Sequence, residues 1–295
     1  MTTYGVTGAS GHLGRFAVEE LLAREVPPSD VIALVRDRDK VTDLAARGPQ
    51  VREADYSQPE TLEPALAGVD RLLLVSGSVA GQRVAHHTNV IEGAKACGIS
   101  RIVYTGMLNN DNTTNPLAVE HQDTERVLGE AGVPFTSLRN GWYVENYTDQ
   151  LGQYLATGEI LGAARDGEIS AASRQDYAIA AVSALLGDEG GDRIYELGGP
   201  AFTLTQLAET ITKVTSTPVI YRDLPVQDYA AALHGFGLDE TTARFVAALD
   251  ASLAVDDLYT TSEDLTKLLG RPATPLADVV RAAYDAVQHG GSDPR

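Results

Sequence analysis

Gly8, Gly11 and Gly14 stand three residues apart, in a G-x-x-G-x-x-G string. The chemistry this spacing suits is the gripping of a dinucleotide pyrophosphate. One glycine makes the tight turn, one lets the backbone approach phosphate, and one lets helix and strand pack closely. The anion then meets free N–H groups at a helix start, where the dipole favours negative charge. A glycine string alone often marks only a flexible loop. Here an apolar run at residues 3–7 precedes it. Leu13, Ala17 and Leu21, with Val18 and Leu22, repeat at helical spacing after it.

Arg36 follows the next apolar run, residues 31–35. In dinucleotide folds an acidic residue at that point holds a ribose 2′-OH, whereas an Arg accommodates a 2′-phosphate. A guanidinium grips phosphate at two points, so Arg36 favours NADP(H). Asp37 and Asp39 dilute the basic patch and admit NAD(H) as well. The competing reading of Arg36 is a solvated basic turn. Asp55 suits an adenine contact and, equally, a turn before a helix cap. Ser76, Gly77 and Ser78 are small enough for a cofactor to pass. Asn140 and Tyr143 offer an amide and a phenol just past a strand's carboxyl end, near the expected nicotinamide. Trp142 and Tyr147 would wall a flat ring, or simply pack core against lobe.

The elements that must position these groups alternate. Strands are expected at residues 3–7, 31–35, 51–54, 71–75, 101–105 and 134–138. Helices are expected after the glycines and at 40–47, 82–98 and 121–131, with one opened by a Ser57–Glu60 capping box and running to Leu66. Strands apolar on both faces and separated by helices mean a covered parallel sheet. The fold class is therefore α/β, a Rossmann-type doubly wound parallel sheet with a smaller, mostly helical C-terminal substrate lobe. Residues 1–145 form the dinucleotide core and 146–295 the lobe, with 176–198 returning to the core. In the lobe, helices are expected at 147–154, 176–186, 227–233, 240–249, 262–269 and 277–287, and one runs from a second capping box, Thr203–Gln206, to about 215. Strands are expected at 193–197 and 219–222, and residues 288–295 read as a polar tail.

Composition narrows the partners. Of 295 residues, 43% are hydrophobic and 22% charged, an ordinary globular balance, and the net charge is −18. So acidic a surface repels nucleic acid phosphates and leaves any phosphate site to a local basic patch. One cysteine, Cys97, excludes an intramolecular disulfide and reads as a buried structural thiol. No run nears the ~20 apolar residues of a membrane span, and the nucleotide motif starts within the first residues, so a cytoplasmic protein without a leader is expected. No spacing of His, Cys or carboxylates suggests a metal site.

Thr7–Gly14, Val35-Arg36, Ala54-Asp55-Tyr56 and the Leu138–Asn146 block with its Arg-Asn-Gly-Trp-Tyr core together resemble the NmrA-like atypical short-chain dehydrogenase/reductases. The likeness runs on through Tyr195–Gly198, Leu204–Ala208 and Leu269–Pro272. It implies NADP(H) binding by Gly8, Ala9, Ser10, Gly11, His12 and Leu13, by Arg36, by Ser76 to Ser78, and by Arg139, Asn140, Gly141, Trp142, Tyr143 and Val144, with Arg174 near the pocket mouth. It implies a quinone or similar conjugated acceptor, and admits a homodimer. It also admits a non-catalytic NADP(H)-binding redox sensor acting through a protein partner, or a reductase specialised to one biosynthetic substrate.

Ordinary members of that superfamily use Tyr-x-x-x-Lys, where Lys lowers the phenol pKa for proton transfer to a ketone. The four lysines are Lys40, Lys95, Lys213 and Lys267, and none follows a tyrosine by four positions. Leu117–His121 stands where the pair is expected, and Thr105-Gly106-Met107 where a Ser is usual. Ketone chemistry of that kind is excluded. Quinone reduction survives the loss, because charge on the reduced ring is delocalised and a modest donor suffices. His121 is the candidate donor on its near-neutral pKa, with Tyr143 second. His86 and His87 are expected on a helix surface.

Overall fold

Tyr4–Val6 (β1) lies at the centre of a parallel sheet, between the strand that follows it and one much later in the chain. The computed structural model describes residues 1–188 and 190–289. The core elements run β1, α1 (His12–Ala23), β2 (Val31–Val35), α2 (Thr42–Ala46), β3 (Gln50–Glu53), α3 (Pro59–Leu66), β4 (Arg71–Leu74), α4 (Arg83–Ala96), β5 (Arg101–Met107), α5 (Ala118–Ala131) and β6 (Phe135–Asn140). The lobe adds α6 (Glu145–Thr148), α7 (Leu151–Thr157), β7 (Glu159–Gly162) and β8 (Ile169–Ser170). Then come α8 (Arg174–Leu186), β9 (Arg193–Leu197), β10 (Ala201–Phe202), α9 (Leu204–Thr215), β11 (Ile220–Asp223), α10 (Val226–Gly235), α11 (Glu240–Leu253), α12 (Asp264–Leu269) and α13 (Leu276–Gln288).

The sheet order is β3-β2-β1-β4-β5-β6-β9, parallel throughout. Every residue of β2, β5 and β6 is buried, as a sheet covered on both faces requires. Helices α1 and α8 pack together on one face, with α12 against α8, while α3, α4 and α5 lie side by side on the other. The strand order reverses between β1 and β4. There the carboxyl ends of the strands leave a crevice, the usual ligand site of open α/β sheets.

The chain reaches β9, which pairs with β6 through Leu138 and Tyr195, only after passing through α6, α7, β7 and β8. A second cluster fills the lobe, with Leu151, Ile160, Leu207, Ile211 and Val280 at its centre. Helix α9 points Leu207, Ala208 and Ile211 into it. Its capping box forms as expected: Gln206 N–H donates to Thr203 Oγ1 at 3.2 Å and Thr203 N–H to Gln206 Oε1 at 2.9 Å.

The Ser57–Glu60 box does not form. Asp55 Oδ1 takes both the Ser57 N–H (2.9 Å) and its hydroxyl (2.8 Å), so α3 begins at Pro59 without a side-chain cap. The closer carboxylate outcompetes the helix end for the same hydroxyl. The helix expected at 147–154 is two pieces, α6 and α7, and α5 starts earlier than expected, at Ala118. Cys97 is only partly buried, at the end of α4. The tail expected over 288–295 lies, from residue 290 on, outside the described residues.

The first glycine loop is the tightest junction. Gly8 adopts φ +60°, and a Cβ on Gly14 would lie 2.3 Å from the Gly8 carbonyl oxygen. Gly14→Ala therefore should push α1 off its loop and cost roughly 1–3 kcal/mol. Gly129→Ala, in α5 with open space around it, should instead stabilise by about 0.5–1 kcal/mol. Thermal unfolding of the two variants checks both signs.

Candidate active site

Thr7 closes the end of β1. Its hydroxyl donates to the Leu73 carbonyl at 3.1 Å and accepts the Val75 N–H at 2.9 Å, and the Tyr56 hydroxyl reaches the same oxygen. These bonds tie the carboxyl ends of β1 and β4 at the crevice. The loop Gly8–Leu13 runs over that end, with Ser10, Gly11 and His12 exposed and Ala9 and Leu13 buried. Helix α1 starts at His12 with Gly11 as its N-cap and no side-chain cap, the kind of helix start that suits an anion.

Arg36 follows β2, exposed, and makes no ion pair among the described residues. Asp37 turns away from it, since its Oδ1 accepts the Asp39 N–H at 3.0 Å. Asp55 also folds back on its own turn, taking Ser57 on one oxygen and Gln58 Nε2 (3.1 Å) on the other. Burial raises its pKa, but the bonds from Ser57 and Gln58 outweigh burial and hold it below the ordinary value. Of its two expected roles, the turn is the one its side chain performs.

Ser76, Gly77 and Ser78 form a strap that is pinned from beneath. Ser76 N–H donates to Thr105 Oγ1 at 2.8 Å and Gly77 N–H to His87 Nε2 at 2.9 Å. Arg83 Nε donates to the Gly77 carbonyl at 2.9 Å. Glu120 holds Arg83 Nη1 and the Gly81 N–H, each at 2.9 Å. Because His87 Nε2 accepts, its proton sits on Nδ1, facing Thr124 Oγ1 at 3.0 Å, and Thr124 in turn donates to the Glu120 carbonyl. His87 is fully buried, which corrects the expectation of a surface residue. It missed detection because a lone helical His carries no sign of what it faces.

Tyr56, His87, Tyr104 and His121 stand in a file, with ring centroids 6.2, 5.4 and 6.0 Å apart. His121 Nδ1 lies 2.7 Å from the Tyr104 hydroxyl. Burial, helped by the Arg83 charge, drives both imidazoles down to about 3. The expectation that His121 serves as an acid near neutrality is thereby corrected: at neutral pH it is an uncharged ring bonded to Tyr104.

At the end of β6 the side chains part to opposite faces. Arg139 turns toward α5 and meets Glu125 (3.0 and 2.7 Å), Asp111 (2.7 and 3.0 Å) and Glu196 (2.9 Å). All of its N–H donors are engaged, so the side chain has none left for a cofactor. That corrects its place in the expected binding set. Asn140 faces the other way. Its amide nitrogen and oxygen are both buried, and among the described residues neither makes a hydrogen bond of good geometry; the group that reaches the amide is the neighbouring Tyr143 phenol.

Tyr143 lies beside Asn140. Burial raises its phenol pKa, opposed by the Asn140 amide and the Arg174 charge. Arg174 stands over the Tyr143 ring at 5.7 Å, tethered to Asp149 (3.0 Å) and Asn146 (3.2 Å). Gly141 N–H donates to the Leu197 carbonyl at 2.7 Å, and Trp142 and Val144 pair with Ala172 through main-chain bonds of 3.1 Å. Trp142 packs against the lobe cluster, and Tyr147 is buried within it, edge to face with Phe202. The glycine loop, Arg36, the strap and Asn140 thus stand at the carboxyl ends of β1, β2, β4 and β6, with Tyr143 and Arg174 next to Asn140 and each other, whereas the Arg139 side chain is taken up by carboxylates and Tyr147 by the lobe cluster.

Residues 8–187 match the model of the NAD(P)H-binding family. The chain belongs to this family. Over 283 residues it is 44% identical to quinone oxidoreductase 2 of Escherichia coli (strain K12), covering 95% of this chain and 98% of that one. The crystal structure of an NADPH-dependent quinone oxidoreductase from Escherichia coli, complexed with NADPH, superposes with a TM-score of 0.92 at 42% identity, over 96% of this chain and 100% of that one. The triphenylmethane reductase of a Citrobacter species, complexed with NADP(H), gives 0.90 at 32% identity, over 95% and 100%. The resemblance to NmrA-like reductases holds.

The two neutral imidazoles make the fold acid-sensitive. Each ring has an ordinary value of 6.5 and a folded value of about 3, so the unfolded chain takes up the proton first. Their contribution is complete above about pH 6.5 and is lost as pH falls toward 3. Urea titrations at about pH 7, 6 and 5 should show stability falling by up to ~1.4 kcal/mol per pH unit for each ring. His121→Gln should remove about half of that slope, and a slope left intact would clear His121 of the effect.

Proposed function

We propose that the protein is an NADPH-dependent oxidoreductase that reduces a quinone or a similar conjugated acceptor without a Tyr-x-x-x-Lys pair. Asn140 carries the reading. A buried amide with no well-formed hydrogen bond and only the Tyr143 phenol beside it costs stability, and a nicotinamide carboxamide offers the complementary donor and acceptor. The loop fits as well: the close approach of Gly14 to Gly8 and the uncapped start of α1 leave backbone N–H groups for a pyrophosphate. The relatives named above, which match nearly end to end at 32% identity or more, are reductases, so the non-catalytic sensor is not favoured.

NADPH, when bound, supplies the hydride. The chain binds and orients. Gly8, Ala9, Ser10, Gly11, His12 and Leu13 hold the pyrophosphate, and Arg36 the 2′-phosphate. Ser76, Gly77 and Ser78 line the cofactor's path, stiffened by His87, Arg83 and Glu120. Asn140 and Tyr143, backed by Arg174, fix the nicotinamide end. The lobe, residues 146–295, holds the acceptor and excludes water, and proximity does most of the remaining work. With His121 uncharged, the proton comes from water or from a group in the lobe. A net charge of −18 argues against nucleic acid, and a single cysteine suits a cytoplasmic setting.

Purified protein with NADPH and 1,4-benzoquinone should consume the nicotinamide absorbance well above a heat-killed control. Tight NADPH binding with no consumption across several quinones would instead point to the sensor. Arg36→Glu should raise the Kd for NADPH roughly ten- to hundredfold and that for NADH less than about threefold, as expected for a lost charge-assisted bond. Equal losses by calorimetry would mean Arg36 does not read the 2′-phosphate.

A further inference from the structure

Tyr147 and Tyr154 lie in the buried cluster of the lobe, and half-buried Tyr229 and Asp250 stand near enough to feel them electrostatically, with no hydrogen bond among the four in the described residues. They come from four helices: Tyr147 on α6, Tyr154 on α7, Tyr229 on α10 and Asp250 on α11. Each phenol feels the charge of Asp250. Tyr147 is 7% exposed, and its hydroxyl has no hydrogen-bond partner among the described residues. Asp250 Oδ2 accepts the Ala163 N–H, and no cation pairs with the carboxyl among the described residues. Neighbouring Asp223 is otherwise engaged, by the Tyr221 hydroxyl at 2.9 Å and the Arg165 N–H at 2.8 Å.

Such a group is expensive as mere packing. A buried hydroxyl left unpaired forfeits its bonds to water and gains none. The lobe cluster around it is apolar, with Phe202 against the Tyr147 ring. Apolar walls with a few convergent polar groups are the make-up of a small-molecule site. The segment that carries Asn140 and Tyr143 leads directly into Tyr147, and Trp142 between them packs on the same cluster.

We propose that Tyr147, Tyr154, Tyr229 and Asp250 form a binding site for an oxygen-bearing substituent on an aromatic acceptor, which anchors the acceptor in the lobe by the end away from the nicotinamide. The inference rests on the reductase reading and specifies its substrate class: flat conjugated rings with a hydroxyl or carbonyl at the far edge. Burial, opposed by the Ala163 bond and reinforced by the Asp223 charge, lifts Asp250 to about 6. Facing it are Tyr147, Tyr154, Tyr229, Tyr221 and Asp223. Below that pH the carboxyl donates and suits a carbonyl; above it the carboxylate accepts and suits a hydroxyl.

The test compares 1,4-naphthoquinone with its 6-hydroxymethyl derivative, whose alcohol does not ionise. Turnover with NADPH gives KM, and quenching of Trp142, the one tryptophan, gives binding without NADPH. The hydroxymethyl compound should bind about tenfold better at pH 7 to 8, about the effect of one hydrogen bond. That preference should shrink below pH 6. Tyr147→Phe and Asp250→Asn should each bring the ratio close to one, and Asp250→Asn should also flatten its pH dependence. Tyr147→Phe loses only an unmatched hydroxyl, so its melting temperature should not fall. Turnover with no preference in the parent, or a preference that survives both variants, overturns the site. Preferential quenching without turnover, lost in the variants, upholds the site while the reductase reading fails.

Discussion

The start of α1 sits so close above its own loop that only a hydrogen atom fits between them. With Gly14 against the Gly8 carbonyl, the helix begins, without a side-chain cap, at the floor of the crevice where the strand order reverses. Thr7 keeps that floor level by joining β1 to β4 through its hydroxyl. The same helix lies along α8, and α8 is held in turn by buried Asp176, which receives Arg271 Nη2 and the Thr274 N–H at 2.7 Å. A tight turn near the amino end is thus braced by a segment near the other end. That explains why an Arg-Pro pair so far from the crevice belongs to the recognisable pattern.

What the sequence discloses follows from how local the cause is. The succession of strands and helices along the chain and the glycine loop were legible because periodicity and spacing determine them. The Thr203 capping box was legible because Thr203 and Gln206 have no rival partners nearby. The Ser57 box was not, because Asp55, two residues away, takes the same hydroxyl. Arg139, His87 and His121 were misread for another reason. A residue type states what a side chain can do in water, and these three act according to surroundings drawn from distant strands and helices. Three carboxylates from separate elements consume the Arg139 donors, and burial strips His121 of its proton. Asn140 was found by its position at a strand end, but its unmatched amide emerges only from the packing.

The division of polar labour across the sheet is sharp. On the α4–α5 face, among the described residues, the buried polar side chains are partnered, in the Arg139 network and in the ring file below the strap. On the α1–α8 face and in the lobe, among the described residues, the buried side-chain polar atoms without a well-formed hydrogen bond are those of Asn140 and Tyr147. One face carries rigidity, and the other keeps unmet hydrogen-bonding capacity where ligands are to be held.

The chain crosses repeatedly between the two halves: outward after β6, back for α8 and β9, outward for β10 to α11, and back again for α12 before α13 returns to the lobe. Two bodies stitched by so many strands of chain have no single hinge about which to swing. Of the α10–α11 hairpin, α10 buries none of its residues, whereas α11 is seated through Ala243, Ala247 and Leu253 and through Asp250 and Ser252, which receive Ala163 and Asn115, so the hairpin too is moored at its second helix.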